Sequence, residues 1–298
     1  MTDITLLDGS IGQEVVKRSG DRATPLWSTA VMVDRPEVVG SVHADYFAAG
    51  ATVATMNTYA VLRDRLVRAG IEEHFEELLA TAAQQAAAAR DAHGAGRVAA
   101  ALGPLKASYR PDICPPHNDA KPIYAEVVRL LEPQADLFLI ETVSSVEHAK
   151  GALLGCETTD KPVWLAASVR DDDGTLLRSG EPLSALAPLI AEFQPGAVLL
   201  NCSRPEVIGA GLEIVQSFGK PFGAYANGFT RISEGFLKDA PTVDALQQRQ
   251  DLGPAAYAEF AMGWVAQGAS IVGGCCEVGP EHIADLARLL RAAGHCIV

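Results

Sequence analysis

Eight short runs of β-branched or apolar residues recur along this 298-residue chain, each followed by a longer segment with helical periodicity. That alternation limits the fold more than any other feature. The strand candidates are Ile4–Leu7, Thr52–Met56, Val98–Leu102, Leu137–Ile140, Val163–Ser168, Ala197–Leu200, Phe222–Ala226 and Ser270–Val272. The helical stretches are Glu37–Ala49, Glu72–His93, Pro122–Glu132, Val146–Cys156, Leu183–Phe193, Pro205–Phe218, Pro254–Gln267 and Pro280–Ala293. Several open on proline at or near the first helical position, where its missing N–H costs nothing. Eight β-then-α units predict a parallel sheet closed into a (β/α)8 TIM barrel, one domain over residues 1–298. An open doubly wound sheet is the alternative. No G-x-G-x-x-G follows the first strand, which counts against its dinucleotide-binding form. The longest irregular stretches, Gly9–Arg35, Gly103–Lys121 and Asn227–Gly253, all follow strands, where a barrel builds its active-site face.

Composition removes several function classes. The net charge is −13, from 37 acidic and 24 basic residues. Without a basic stripe, that balance makes nucleic acid or an anionic membrane a poor partner. No apolar run approaches the ~18 residues of a membrane span, and the first residues lack the basic start and apolar stretch of a signal peptide. The chain reads as a soluble cytoplasmic protein acting on small molecules. No G-x-S-x-G elbow, P-loop or H-E-x-x-H is present, and most of the seven histidines fall on helices.

Polar residues just past barrel strands are the expected site. In chain order they are Asp8, Asn57, Glu141, Asn201, Cys202, Asn227, Cys275 and Cys276. One cysteine follows strand six and two follow strand eight, so a single intervening strand separates the ends that carry them. Adjacent side chains of a strand point to opposite faces. Cys275 and Cys276 can therefore serve one ion only if the backbone leaves strand geometry there, and Gly273-Gly274 permits unusual φ/ψ values and close approach. Cys202 lies just before a proline-initiated helix, whose start favours a thiolate. Spacing alone leaves three readings open: a metal site, ordinary buried cysteines, or a vicinal Cys275–Cys276 disulfide. Cys114, Cys156 and Cys296 read as structural or free. Glu141 closes a strongly apolar run and reads as a ligand-binding group. Asp8 is either such a group or the acceptor of a turn.

Taken together, Leu6-Leu7-Asp8-Gly9-Ser10-Ile11-Gly12, Glu141-Thr142, Asn201-Cys202-Ser203 and Gly273-Gly274-Cys275-Cys276 resemble the homocysteine S-methyltransferase family. The resemblance runs from about residue 5 to the last helix. It implies that Cys202, Cys275 and Cys276 bind Zn2+, that Asp8 and Glu141 contact the amino-acid part of homocysteine, and that Asn201 and Tyr59 belong to the substrate-binding set. Ser10 and Gln13 depart from the family's usual residues, which bears on the local amino-acid contacts and not on the cysteines. The implied reaction is methyl transfer to the homocysteine thiol, giving methionine. Three thiolates leave a tetrahedral zinc with one open position for the incoming thiol.

A small sulfonium, S-methylmethionine ahead of S-adenosylmethionine, is the expected donor, because its leaving group departs neutral. Betaine or another onium is the alternative. The end at Val298 adds the expectation that no folate or cobalamin module takes part. A metal-dependent barrel lyase or aldolase is the reading from a different class. It would want a Schiff-base lysine at a strand end, which neither Lys106 nor Lys220 supplies, or a carboxylate cluster. A non-catalytic zinc-stabilised barrel would need a fourth protein ligand.

Overall fold

The computed structural model describes residues 2–20, 26, 28–230, 232, 237 and 247–298. Its centre is a parallel sheet of β1 (Asp3–Leu6), β2 (Val53–Thr55), β3 (Arg97–Leu102), β4 (Leu137–Val143), β5 (Val163–Ala167), β6 (Ala197–Asn201), β7 (Phe222–Tyr225) and β8 (Ile271–Val272). Each strand pairs with the next in sequence, and β8 returns to β1 through Thr5–Ile271 and Leu6–Val272. The ring closes between β1 and β2. There Leu7 and Val53 form a parallel bridge, the Thr52 amide donates to the Leu6 carbonyl at 2.7 Å, and the Asp8 amide donates to the Val53 carbonyl at 3.1 Å. This is the predicted (β/α)8 barrel.

The two faces of the strands have separate cores. Leu137, Leu139, Trp164, Ala166, Ala197, Leu199, Tyr225 and Ile271 cluster with Leu7, Val53 and Ala99, and no helical residue joins them, so they fill the barrel interior. The alternate positions, among them Phe138, Ile140, Leu165, Val198 and Leu200, pack with the helices outside. Burial on both faces is why these strands read as continuous apolar runs. It also fixes the aim of Glu141. Continuing the parity of Leu137 and Leu139, its side chain points inward at the top of β4.

Eleven α-helices lie among the described residues: α1 (Ile11–Ser19), α2 (Ser28–Asp34), α3 (Pro36–Ala49), α4 (Arg63–Ala69), α5 (Phe75–His93), α6 (His117–Leu131), α7 (Val146–Gly155), α8 (Ala187–Phe193), α9 (Pro205–Gln216), α10 (Pro254–Ala266) and α11 (Pro280–Ala292). None is long and apolar enough to cross a membrane. Three of them were not anticipated from the sequence. The stretch Gly9–Arg35 is not irregular throughout, since it holds α1 and α2, and α4 follows β2. Each is nine residues or fewer. The buried residues of α1 are Ile11 and Val15 alone, and α4 buries Arg65 with Leu66, so neither shows a stripe of the usual length. Helix α6 begins five residues before Pro122, which sits within it. A ninth strand, β9 (Cys296–Ile297), runs parallel to β1 and is too short to signal itself. Most of Asn227–Gly253, expected to be irregular, lies outside the described residues.

One side chain ties the tops of β7 and β8 together from outside. Tyr257 of α10 is fully buried. Its hydroxyl donates to the Gly273 carbonyl at 2.6 Å and accepts from the Ala226 amide at 3.0 Å. Replacing it with phenylalanine leaves two buried backbone groups without that partner. Tyr257→Phe should cost about 1–3 kcal/mol of unfolding free energy by denaturant titration, the penalty for buried polar groups left unpaired. A loss below a few tenths of that range would show that the tie contributes nothing.

Candidate active site

The top of the barrel gathers the three cysteines. Cys202 immediately follows β6 and has φ +47°, a left-handed conformation rare for a residue with a Cβ. Its amide donates to the Tyr225 carbonyl of β7 at 3.3 Å. Beyond β8 the chain passes through Gly273 and Gly274 into a turn in which the Val278 amide donates to the Cys275 carbonyl at 3.1 Å. Neither glycine has positive φ; the left-handed residue is Glu277, at +63°. What the glycines supply is room. A Cβ on Gly273 would lie 2.5 Å from the Leu7 Cβ, and one on Gly274 would lie 2.1 Å from a Val278 methyl. The expectation of close approach therefore holds, while that of unusual backbone angles moves three residues beyond Gly274, to Glu277.

Because the chain turns at Cys275, both neighbouring thiols reach the same point. The Cys202, Cys275 and Cys276 sulfurs all lie within 4.8 Å of one another, and among the described residues no other histidine, cysteine or carboxylate joins that group. Cys276 Sγ is 3.9 Å from Cys202 Sγ. Cys202 and Cys275 are joined as a disulfide, which differs from the expected three free thiols and also from the vicinal pairing. The loops after β6 and β8 bring these two sulfurs within bonding reach, and a cation bound by the same atoms competes with that bond. Three sulfur donors in a pocket shared with Tyr109 and Phe229 suit one metal ion. Burial, with Glu277 and Glu141 adding to it, pushes the Cys276 thiol up to about 12, so its thiolate needs a positive partner.

Facing the sulfurs are two buried carboxyl groups. Asp8 accepts from the Thr55 amide at 2.5 Å and from the Thr55 hydroxyl at 2.8 Å. Glu141 accepts from the Tyr225 hydroxyl at 3.0 Å. Burial raises Asp8 to about 7 against those hydrogen bonds. It raises Glu141 to about 8, with the Tyr225 hydrogen bond opposing and the nearby charge of Asp8 adding to the rise. Asp8, Glu141, Tyr59 and the three cysteines all line one cleft of about 780 Å3, counted with its open mouth. Asn57 lines it too and accepts from the Ser28 hydroxyl at 2.5 Å.

Asn201 does not line this cleft. It is fully buried, and its side-chain amide spends itself on Thr142, accepting from the Thr142 amide at 3.0 Å and donating to its hydroxyl at 3.2 Å. Thr142 has φ +57°, and the β4–β5 register shifts between Ile140 and Val143. Asn201 thus holds the bulge that carries Glu141. Asn227 is likewise turned away from the cleft, accepting from the Phe229 amide at 3.1 Å. Tyr225 and Tyr109 line the cleft and were not singled out from sequence. Tyr225 could have been, since it ends β7 with the same inward parity as Glu141. Tyr109 lies in a loop, with φ +60°, where no pattern marks it.

The sequence model of the homocysteine S-methyltransferase family matches residues 5–290. The chain belongs to that family. It is 30% identical to the homocysteine S-methyltransferase of Escherichia coli, over 95% of this chain and 94% of that one. It is 26% identical to the homocysteine S-methyltransferase YbgG of Bacillus subtilis, over 97% and 95%. Among solved structures, the metallated form of the E. coli homocysteine methyltransferase MmuM superimposes with a TM-score of 0.81 at 26% identity, covering 97% of this chain and 96% of the other. Its oxidized form gives 0.82. This homocysteine S-methyltransferase therefore shares its fold with a protein solved with metal, and its own cysteine cluster could hold one.

The carboxyl pair gives the protein a pH dependence. Glu141 keeps its proton in the folded chain to about pH 8 and loses it near 4.5 when unfolded, so its contribution to stability is full at low pH and lost as pH rises through about 8. Substrate-free wild-type protein should lose thermal stability between pH 6 and 9 more steeply than Glu141→Gln, whose amide does not titrate. Parallel melting-temperature profiles of the two proteins would show that the carboxyl is not perturbed as described.

Proposed function

We propose that this homocysteine S-methyltransferase uses Zn2+ held by Cys202, Cys275 and Cys276 to accept a methyl group from a small sulfonium donor. The observation that carries the reading is the convergence of three sulfurs from two loops, with no fourth protein donor among the described residues, opposite a buried carboxyl pair. Sulfur donors favour zinc over magnesium or calcium. Bound there, the ion would take the substrate thiol at its open position and lower its pKa, so that the sulfur is nucleophilic at neutral pH.

The rest is the work of the chain. Glu141 and Asp8 would receive the homocysteine ammonium, a cation that restores the charged form of both carboxyls and fixes the amino-acid end of the substrate. Tyr225 keeps one Glu141 oxygen in place through its hydroxyl. Tyr59, whose hydroxyl is 2.7 Å from that of Ser108, and Tyr109 give the cleft aromatic walls against which a donor would rest. The substrate thiol's proton leaves to solvent on binding. Its sulfur then attacks the donor's methyl carbon in line. The new S–CH3 bond forms as the donor's S–CH3 bond breaks, and that electron pair leaves on the donor sulfur as a neutral sulfide. Thioether products on both sides are uncharged at sulfur. Aromatic walls suit a cationic donor, and S-methylmethionine is placed ahead of S-adenosylmethionine, with betaine the alternative onium.

Reduced protein should bind about one Zn2+ per chain, and protein oxidised at Cys202 and Cys275 should bind none, because the bond takes two of the three donors. Cys202→Ser, Cys275→Ser and Cys276→Ser should each lose metal and turnover while Cys114→Ser keeps both. Elemental analysis beside a homocysteine assay decides this, and Cys275→Ser with full zinc would reject the ligand set. Donor identity is tested by incubating the zinc protein and homocysteine with each onium separately and scoring methionine by mass spectrometry. S-methylmethionine should give the highest rate. Methionine from betaine and none from either sulfonium would reverse the ranking.

A further inference from the structure

Arg178 lies outside the cleft, yet it touches the backbone of a cysteine within it. After β5 the chain makes a short antiparallel excursion, with bridges Val169–Leu177 and Leu176–Pro182, before entering α8. Arg178 sits on its returning limb with only 10% of its side chain exposed. The guanidinium turns back toward β6. Its Nη2 donates to the Cys202 carbonyl at 3.2 Å and to Asp171 Oδ1 at 2.7 Å, and its Nε donates to the Ser168 hydroxyl at 3.1 Å. Ser168 Oγ in turn lies 3.3 Å from the same Cys202 carbonyl. The guanidinium carbon is 5.1 Å from the centre of the Tyr109 ring, which lines the cleft. Asp171, which holds the guanidinium, also accepts from the Ile232 amide at 2.8 Å.

We infer that Arg178 is a positioning residue for the cysteine centre, fixing Cys202 in the left-handed conformation that aims its sulfur at Cys275 and Cys276. The inference rests on the metal reading given above and extends it to a residue that supplies no ligand. Two physical points carry it. First, Cys202 is the one cysteine of the three with a positive φ, and such a conformation persists only where surrounding bonds over-determine it. Its carbonyl lies just beyond the last β6–β7 pair, Asn201–Tyr225, so the sheet ladder no longer holds it, and the Arg178–Ser168 pair does. Second, Zn2+ with three thiolates carries a net negative charge that deepens when a substrate thiolate joins. A guanidinium fixed on the backbone of one ligand, its charge shared with the Asp171 carboxylate, stabilises the ligand's carbonyl beside that negative centre. Lysine could keep the charge but not the fork, since a single ammonium cannot span Ser168, Asp171 and Cys202 in the same plane.

The test is metal affinity, measured on reduced protein by competition for Zn2+ against a chromophoric chelator, with thermal unfolding of the metal-free protein as control. Arg178→Ala should bind Zn2+ about 10–100-fold more weakly than wild type, the usual cost of removing an outer partner of a metal ligand. The metal-free variant should stay folded, with a melting temperature lowered only by the loss of the Asp171 ion pair, a loss that Asp171→Asn shares. Arg178→Lys should fall between the two. The Co2+-substituted proteins give a second readout, because a misaimed Cys202 changes the sulfur-to-cobalt absorption while a general loss of stability does not. If Arg178→Ala does not fold, Arg178→Lys decides by the same measurement. Zinc affinity within twofold of wild type in the folded variant, with an unchanged cobalt spectrum, overturns the inference and leaves the metal reading standing. Wild-type protein that takes up no zinc overturns both.

Discussion

The backbone and side chain of Asp8 join three strands at one point. Its amide reaches the Val53 carbonyl and so closes the barrel between β1 and β2, its carbonyl accepts from Gly274 at 2.9 Å, and its carboxylate is held by Thr55. Closing the sheet and placing the Asp8 carboxyl at the cleft are therefore the same set of bonds. The Gly274 contact also seats the turn that carries Cys275 and Cys276 against the start of the chain. Gln13 reinforces this from α1, its side-chain oxygen accepting from the Glu277 amide at 2.6 Å and from the Ser10 hydroxyl at 2.8 Å. Residues 8 to 13 and 274 to 277 act as one unit, although more than 260 positions separate them in sequence.

The cleft brings together groups whose charged forms oppose burial. Two carboxyls are raised by desolvation to about 7 and 8, and a buried thiol to about 12. Among the described residues, none of the three draws on a neighbouring cation. Arg178, the guanidinium nearest the sulfurs in the bonds described, addresses a backbone carbonyl. Such an arrangement rewards incoming positive charge at both ends, a metal ion among the thiols and an ammonium between the carboxyls. Each would restore the ionised form of its hosts.

How much of this was legible in the sequence follows from what each residue signals. The eight central strands were readable because both faces of a parallel barrel are apolar, so Leu137–Ile140 or Ala197–Leu200 stand out without any alternation. Helices α1, α2 and α4 were not, because seven to nine residues span too few turns to show a period. Asp8, Glu141 and the cysteines were marked by position, as polar residues ending apolar runs. Position did not distinguish roles among them: Asn201 ends β6 as Glu141 sits at the top of β4, yet it braces a bulge and stays out of the cleft. Tyr109 and Arg178 lie in loops, where contact depends on tertiary packing alone. The joined Cys202–Cys275 pair was equally hidden, since the one pairing that adjacency in sequence offers is Cys275–Cys276.

The brace formed by Asn201 has a geometric consequence for substrate choice. It spans from the end of β6 to the bulge after Ile140, with β5 between them, and the residue beyond it is Cys202. The carboxyl end and the sulfur end of the cleft are thus fastened to one another through a single buried amide and the strand that bears it. A cleft with both ends pinned works as a gauge of length. An amino thiol one methylene shorter than homocysteine would have to stretch its contacts at one end to keep those at the other. A single methylene in an apolar pocket is ordinarily a weak basis for discrimination. On the proposed reading it would decide whether an ammonium and a sulfur can both be seated, which would turn a small difference in size into a difference in charge pairing.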